Sequence, residues 1–324
     1  MSMPPPGRGR APRRPHASQY VRDKAAAEGS DLARVKEALA IRGLSPRKRF
    51  GQNFLIRSDL ADRIVDHARI GPDDVVIEIG PGAGALTGRL ASRARDLVAV
   101  EKDRGLAELL RDEFAELPNV TIVEGDFLEF DLAAAAAAQG VDRVLVVGNI
   151  PYNITTPILE RLFEHKAIVK SAVLLVQKEY ADRLAAAAGS PEYGSLTLFA
   201  RYHALLEPLL TLKPSAFWPR PDVDSMLVRV VLRPHPPVEV PSEELLFRII
   251  RGSFQQRRKQ LGNTIEDALD LPRDKVERLC RHAGIDPRRR GETLTLEEFA
   301  KLARAAADTL RAVSERGRGD ATIH

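Results

Sequence analysis

From residue 60 onward, short apolar runs alternate with helix-like stretches, and this alternation constrains the fold more than any other feature of the chain. Leu60, Ile64, Val65 and Ala68 fall on one helical face, Ser58 or Asp59 is placed to cap that helix, and Gly71-Pro72-Asp73 ends it. Val75–Ile79 reads as a strand, as do residues 97–100, 120–123, 144–147 and 172–176, while residues 85–94, 104–114 and 157–165 read as helices. Nearly continuous apolar strands separated by helices predict a parallel sheet covered on both faces. Such α/β sheets bind ligands at the carboxyl ends of their strands. Residues 205–212 and 226–232 read as further strands, an antiparallel pair at the far edge.

Pro234, Pro236, Pro237 and Pro241 mark a boundary, beyond which the pattern is only helical, at 242–254, 262–269, Arg273–Ala283 and 296–310. The expected division is a basic, disordered tail over 1–44, an α/β domain over 45–235, a helical domain over 236–312 and a second tail over 313–324. Within the first tail, residues 31–40 can form a short helix. The alanine run 131–139 reads as a helix or surface connection without chemistry.

Charge and composition narrow the function classes. Residues 1–49 carry 12 Lys or Arg against 4 Asp or Glu, and the rest carries 37 against 41. The folded part is therefore not basic overall, so nucleic acid would have to be met through local patches. A single cysteine, Cys280, excludes an intrachain disulfide framework and fits a reducing cytoplasm. No apolar run approaches a membrane span, the basic N-terminus lacks an apolar core segment and so does not read as a secretory signal, and the seven histidines lack ligand spacing, so neither membrane nor metal is expected.

The chemistry concentrates in the loops after strands. Val75–Ile79 runs into Gly80-Pro81-Gly82-Ala83-Gly84, which lets backbone approach a ligand closely but lacks the dinucleotide spacing. S-adenosylmethionine, which has no phosphate to place on a helix N-terminus, fits such a turn with its amino-acid end. Glu101, at the end of the next strand, is placed to accept both ribose hydroxyls. Asp126, after the third, can accept from the cofactor's adenine amine. The strongest signal is Asn149-Ile150-Pro151-Tyr152 after residues 144–147. An exocyclic adenine amine is a poor nucleophile because its lone pair is conjugated with the ring. The Asn149 side-chain oxygen and the Pro151 carbonyl can accept its two hydrogens and turn the lone pair toward a methyl group. Pro151 stiffens the turn, and Tyr152 offers a face for an extruded base. Phe217, in Phe217-Trp218-Pro219-Arg220-Pro221, is the candidate second wall of that slot, with packing against the sheet edge as the competing reading.

Arg47-Lys48-Arg49 and the acid-free group Arg248, Arg251, Arg257, Arg258 and Lys259 are candidate RNA phosphate contacts, with a solvated charged face as the alternative. Arg288-Arg289-Arg290 can extend them.

Taken together, Arg49-Phe50-Gly51-Gln52-Asn53-Phe54-Leu55, Glu78-Ile79-Gly80-Pro81-Gly82, Asn149-Ile150-Pro151-Tyr152-Asn153, residues 217–225 and Arg257-Arg258-Lys259-Gln260-Leu261 resemble the KsgA/RsmA family of rRNA adenine N6,N6-dimethyltransferases, over about residues 46–303. The resemblance implies a Rossmann-like class I S-adenosylmethionine-dependent methyltransferase sheet with a small all-helical C-terminal domain. It implies dimethylation of two adjacent adenosines near the 3′ end of small-subunit rRNA, in a pre-30S particle, by a monomer. By position it adds Asn53 and Leu55 to the cofactor contacts Gly80, Glu101, Asp126 and Asn149. Two departures stand out: a longer N-terminal tail, and Asp222 where a lysine is common. Two other readings remain open here, a large-subunit rRNA methyltransferase of the macrolide-resistance type and a non-catalytic RNA-binding assembly factor.

Overall fold

The computed structural model describes residues 31–47, 50–256 and 258–319, with side chains as far as 311. Strand β1 (Phe54–Leu55) pairs antiparallel with β8 (Phe217–Trp218) in a small ribbon. The main sheet contains β2 (Val75–Ile79), β3 (Asp96–Glu101), β4 (Val120–Glu124), β5 (Val144–Asn149), β6 (Val169–Gln177), β7 (Ala204–Leu212) and β9 (Ser225–Leu232), in the order β4-β3-β2-β5-β6-β9-β7. Strands β2 to β6 run parallel, and β9 lies antiparallel between β6 and β7, as the apolar pattern predicts.

The order has a functional consequence. The chain leaves β2 for β3 and β4 on one side, then returns to lay β5 on the other. Strand order therefore reverses between β2 and β5, and the loops at their carboxyl ends splay apart to leave a crevice. Ile79 pairs with Gly148 in register, so the glycine turn after Ile79 and the Asn149 loop leave the sheet side by side.

Alternation along the strands feeds two cores. Val76, Leu97, Leu145 and Val147 face one layer with Ile64, Val65, Leu90 and Leu110. Ile77, Val98, Val100 and Val146 face the other with Leu132, Ile158, Leu162 and Phe163. The helices Glu243–Gln255, Leu261–Leu269, Arg273–Ala283 and Leu296–Gly319 close around a third cluster. That cluster also takes Tyr193, Leu198 and Tyr202, so packing does not divide at the proline-rich segment.

The N-terminal tail expectation needs correction for residues 31–44. Asp31–Ile41 is a helix whose Leu39 is buried in the first core. Asp31 also corrects the expected cap of the helix Ser58–Ala68: its Oδ2 accepts from Ser58 N at 2.7 Å and its Oδ1 from Ser58 Oγ at 2.7 Å. Asp59 instead pairs with Arg57. Residues 1–30 and 320–324 lie outside the described part.

At the seam between the sheet and the C-terminal helices, His203 stacks on Phe163 and contacts Phe199, Tyr202 and Phe247. Its Nε2 is buried without a hydrogen bond, although a Glu243 carboxylate oxygen lies 3.4 Å away. Burial, aided by Lys166, lowers its pKa to about 4 from 6.5. The unfolded chain therefore takes up a proton at higher pH than the native one. The stability carried by the neutral ring is complete above pH 6.5 and is lost as pH falls toward 4. We expect stability to drop by about 2 kcal/mol between pH 6.5 and 4.5 through this group. The His203→Phe variant should lose that part of the slope in denaturant titrations, and an identical slope in both proteins would refute it.

Candidate active site

The crevice is a pocket with about 1190 Å³ of open space, mouth included, and it gathers Gly80, Gly82, Glu101, Asp126, Asn149, Pro151, Tyr152, Asn53 and Leu55 on its walls. Gly80 and Gly82 have φ of +58° and +59°, a left-handed backbone that glycine adopts without strain. A Cβ on Gly80 would meet nothing within 4 Å, and one on Gly82 would stand 3.1 Å from the Phe54 ring. The turn thus presents bare backbone to the cavity.

Glu101 is 6% exposed, and both carboxylate oxygens are engaged: Gly82 N donates to Oε2 at 3.0 Å and Asp103 N to Oε1 at 2.9 Å. Burial raises its pKa, and these two donors oppose the rise. Each oxygen keeps a lone pair, so the group can still take ribose hydroxyls. Glu78, which sequence reasoning placed in the motif but gave no role, lies beneath at 1% exposure with Oε2 unpartnered. Burial pushes its pKa up to about 8, the Glu101 charge adding and the Thr87 hydroxyl opposing. Burial thus favours the neutral, protonated form of Glu78 beside the Glu101 carboxylate. A glutamate inside the apolar run Val75–Ile79 was the available signal, because a buried strand carboxyl needs a reason.

Asp126 lies below its ordinary pKa; burial works against this, and the adjacent Lys102 ammonium and Leu128 N–H outweigh it. The residues present fit S-adenosylmethionine: acceptors at the ribose end, an acceptor at the adenine end, and a side-chain-free turn at the amino-acid end.

The Asn149 loop forms the opposite wall. Asn149 Nδ2 donates to the Asn53 carbonyl at 2.9 Å. This bond commits the amide nitrogen inward and leaves Oδ1 as the acceptor. The Pro151 carbonyl accepts from Ile154 N at 3.2 Å, which leaves its second lone pair. Tyr152 is half-buried; its hydroxyl lies 2.7 Å from Ser225 Oγ, and burial keeps its pKa above the ordinary value despite that contact. The ring is thus a neutral, anchored surface.

Other candidates part company with this group. Phe217 is 3% exposed and packs in the first core without lining the pocket, because β8 pairs Phe217 with Leu55 and tucks it under the ribbon. The competing reading, packing at the sheet edge, describes it in this structure. Arg47 is paired with buried Asp103 at 3.0 Å. Arg248 donates to the Ala268 carbonyl, and Lys259 lies 3.4 Å from Asp267. All three are therefore already engaged within the protein. Arg288, Arg289 and Arg290 likewise meet Asp286, Glu298 and Glu292. Arg251 and Arg258 are exposed and lack an ion pair among the described residues. Lys48, Arg49 and Arg257 lie outside them. Asp222 is exposed. Among the described residues no group of His, Cys, Asp and Glu is placed to hold a metal, and no helix is long and apolar enough to cross a membrane.

A seven-stranded sheet in this order, with a glycine turn and the buried Glu101 carboxylate at its switch point, defines a class I methyltransferase. The model of the family described as ribosomal RNA adenine dimethylase matches residues 43–308, and the chain belongs to that family. Ribosomal RNA small subunit methyltransferase A of Bacillus mycoides is 46% identical over 278 residues, covering 84% of this chain and 95% of the relative. The protein of that name from Bacillus cereus strain AH187 gives the same figures. Among solved structures, a dimethyladenosine transferase from Plasmodium falciparum matches with a TM-score of 0.69 at 23% identity, over 79% of this chain and 98% of that one, which shows the fold. The 23S rRNA methyltransferase ErmE matches with a TM-score of 0.61 at 28% identity, over 78% of this chain and 99% of that one. The chain is an S-adenosylmethionine-dependent rRNA adenine dimethyltransferase.

Proposed function

We propose that the enzyme acts on N6 of two adjacent adenosines near the 3′ end of small-subunit rRNA, in a pre-30S particle, as a cytoplasmic monomer built from a catalytic unit over 45–235 and a helical RNA-binding unit over 236–312. The observation that carries the site reading is the Asn149 amide, held by Asn53 O so that Oδ1 is the free acceptor in the same pocket as Gly80 and Glu101.

Bound S-adenosylmethionine supplies an electrophilic methyl group. The protein's part is to present the nitrogen. Asn149 Oδ1 and the Pro151 carbonyl accept from the adenine amine and draw its lone pair out of conjugation. Tyr152 stacks on the extruded base. Glu101, Asp126, Asn53, Leu55 and Gly80 hold the cofactor. Support for the small subunit comes from 46% identity to relatives named for it, against 28% to ErmE. Unmodified small subunits incubated with the enzyme and labelled cofactor should gain dimethyladenosine at two neighbouring positions, read by mass spectrometry. Label confined to large subunits would overturn this.

Arg251 and Arg258 are the part of the expected phosphate surface that makes neither an ion pair nor a side-chain hydrogen bond among the described residues, whereas Arg47 and Lys259 are ion-paired and Arg248 donates to the Ala268 carbonyl. Each phosphate contact contributes about one unit to the slope of log affinity against log salt. Arg251→Glu with Arg258→Glu should weaken subunit binding and lower that slope by about two. An unchanged slope returns both to ordinary solvated charge.

A further inference from the structure

We propose that Arg47, Gln52 and Asp103 form a clasp that positions the Glu101 carboxylate and the Asn149 loop relative to each other, and that Arg47 is a positioning residue for methyl transfer. The inference rests on reading the pocket as the cofactor site.

Asp103 is a carboxylate at 3% exposure. Its Oδ1 accepts from Gly105 N at 2.9 Å, which caps the helix Arg104–Glu113 and needs only one oxygen. Its Oδ2 is spent elsewhere, on Arg47 Nη1 at 3.0 Å and Gln52 Nε2 at 3.4 Å. The Arg47 backbone N–H donates in turn to Gln52 Oε1 at 2.8 Å, so the three residues close a ring that runs through the Arg47 main chain. A helix cap alone does not require this ring.

The clasp reaches both halves of the site. On one side the backbone N–H of Asp103 donates to Glu101 Oε1, so tilting Asp103 moves the ribose-side carboxylate. On the other, the neighbours of Gln52 touch the catalytic loop. A Cβ on Gly51 would stand 3.2 Å from Pro151 Cβ, and the Asn53 carbonyl receives Asn149 Nδ2. Loosening Gln52 therefore frees the anchor that orients the Asn149 amide. The Arg47 side chain is 42% exposed, so it can be truncated without opening a core, and the buried Asp103 charge is left with fewer partners.

The test uses the full chain, with calorimetry of S-adenosylhomocysteine, steady-state kinetics and the salt dependence of small-subunit binding. Arg47→Ala should raise the Kd for S-adenosylhomocysteine and the KM for S-adenosylmethionine about five- to tenfold. It should also lower kcat and leave the salt slope unchanged. Arg47→Lys should recover part of the loss, since it restores the charge without the fork, and Gln52→Ala should move the same parameters. Unchanged cofactor affinity with a smaller salt slope would make Arg47 a phosphate contact and overturn the clasp. A lowered Tm with normal KM and kcat would reduce it to fold support and also overturn it. Wild-type protein that fails to bind S-adenosylhomocysteine would remove the pocket reading itself.

Discussion

Asn149→Ala is expected to slow methyl transfer by about 10²- to 10³-fold at saturating cofactor, the range set by losing one preorganised polar contact to a transition state. The cofactor Kd should change far less. The reason lies in how the side chain is committed. Its nitrogen is spent on the Asn53 carbonyl at 2.9 Å, so truncation removes the Oδ1 acceptor and leaves Asn53 O unpaired at the same time. The glycine turn and Glu101 are held by other bonds, from Gly82 N and Asp103 N, and stay in place. Single-turnover rates with small subunits, set beside calorimetry of S-adenosylhomocysteine, separate the two effects. A variant with normal turnover would remove Asn149 from the catalytic role, and equal losses in rate and cofactor affinity would make it a general pocket support.

The parallel sheet was legible because strands buried on both faces must be apolar throughout, and 97–100 and 144–147 are. Gly80, Glu101 and Asn149 followed, because each stands directly after such a run and strand ends converge at the switch point. What escaped was set by contacts distant in sequence. Residues 178–203, given no element from sequence, contain the helices Lys178–Ala185 and Ser195–His203, the second of which helps join the sheet to the C-terminal helices. The ribbon of Phe54–Leu55 with Phe217–Trp218 joins segments more than 160 residues apart, and neither is long enough to show alternation. That pairing decides whether Phe217 faces the pocket or the core. The internal partners of the basic clusters were hidden for a related reason. Local absence of acids in sequence did not reveal that Arg47 meets Asp103 and that Arg248 meets the Ala268 carbonyl.

Glu101→Ala is expected to weaken cofactor binding by about a hundredfold or more while leaving small-subunit binding nearly intact. The carboxylate does two jobs at once. It offers lone pairs to the ribose hydroxyls, and it satisfies Gly82 N and Asp103 N in a site where the residue is only 6% exposed. Each buried N–H left unpaired costs about 1–3 kcal/mol, and about 1.4 kcal/mol is a factor of ten in affinity. Part of that cost falls on the fold, so Tm should drop as well. Glu101→Gln divides the two contributions. Its amide oxygen can still serve one of the two N–H groups, while its NH₂ must face the other, so its affinity should fall between wild type and alanine. The raised pKa of Glu101 gives the carboxylate reading a pH signature. Cofactor affinity should be full where the group is ionised and decline as pH falls through its titration, and the alanine variant should lack that decline. Calorimetry across the acid range measures both. Unaltered S-adenosylhomocysteine affinity in Glu101→Ala would dismiss the ribose role, and a parallel loss of subunit binding would mean that the substitution had disturbed the whole enzyme.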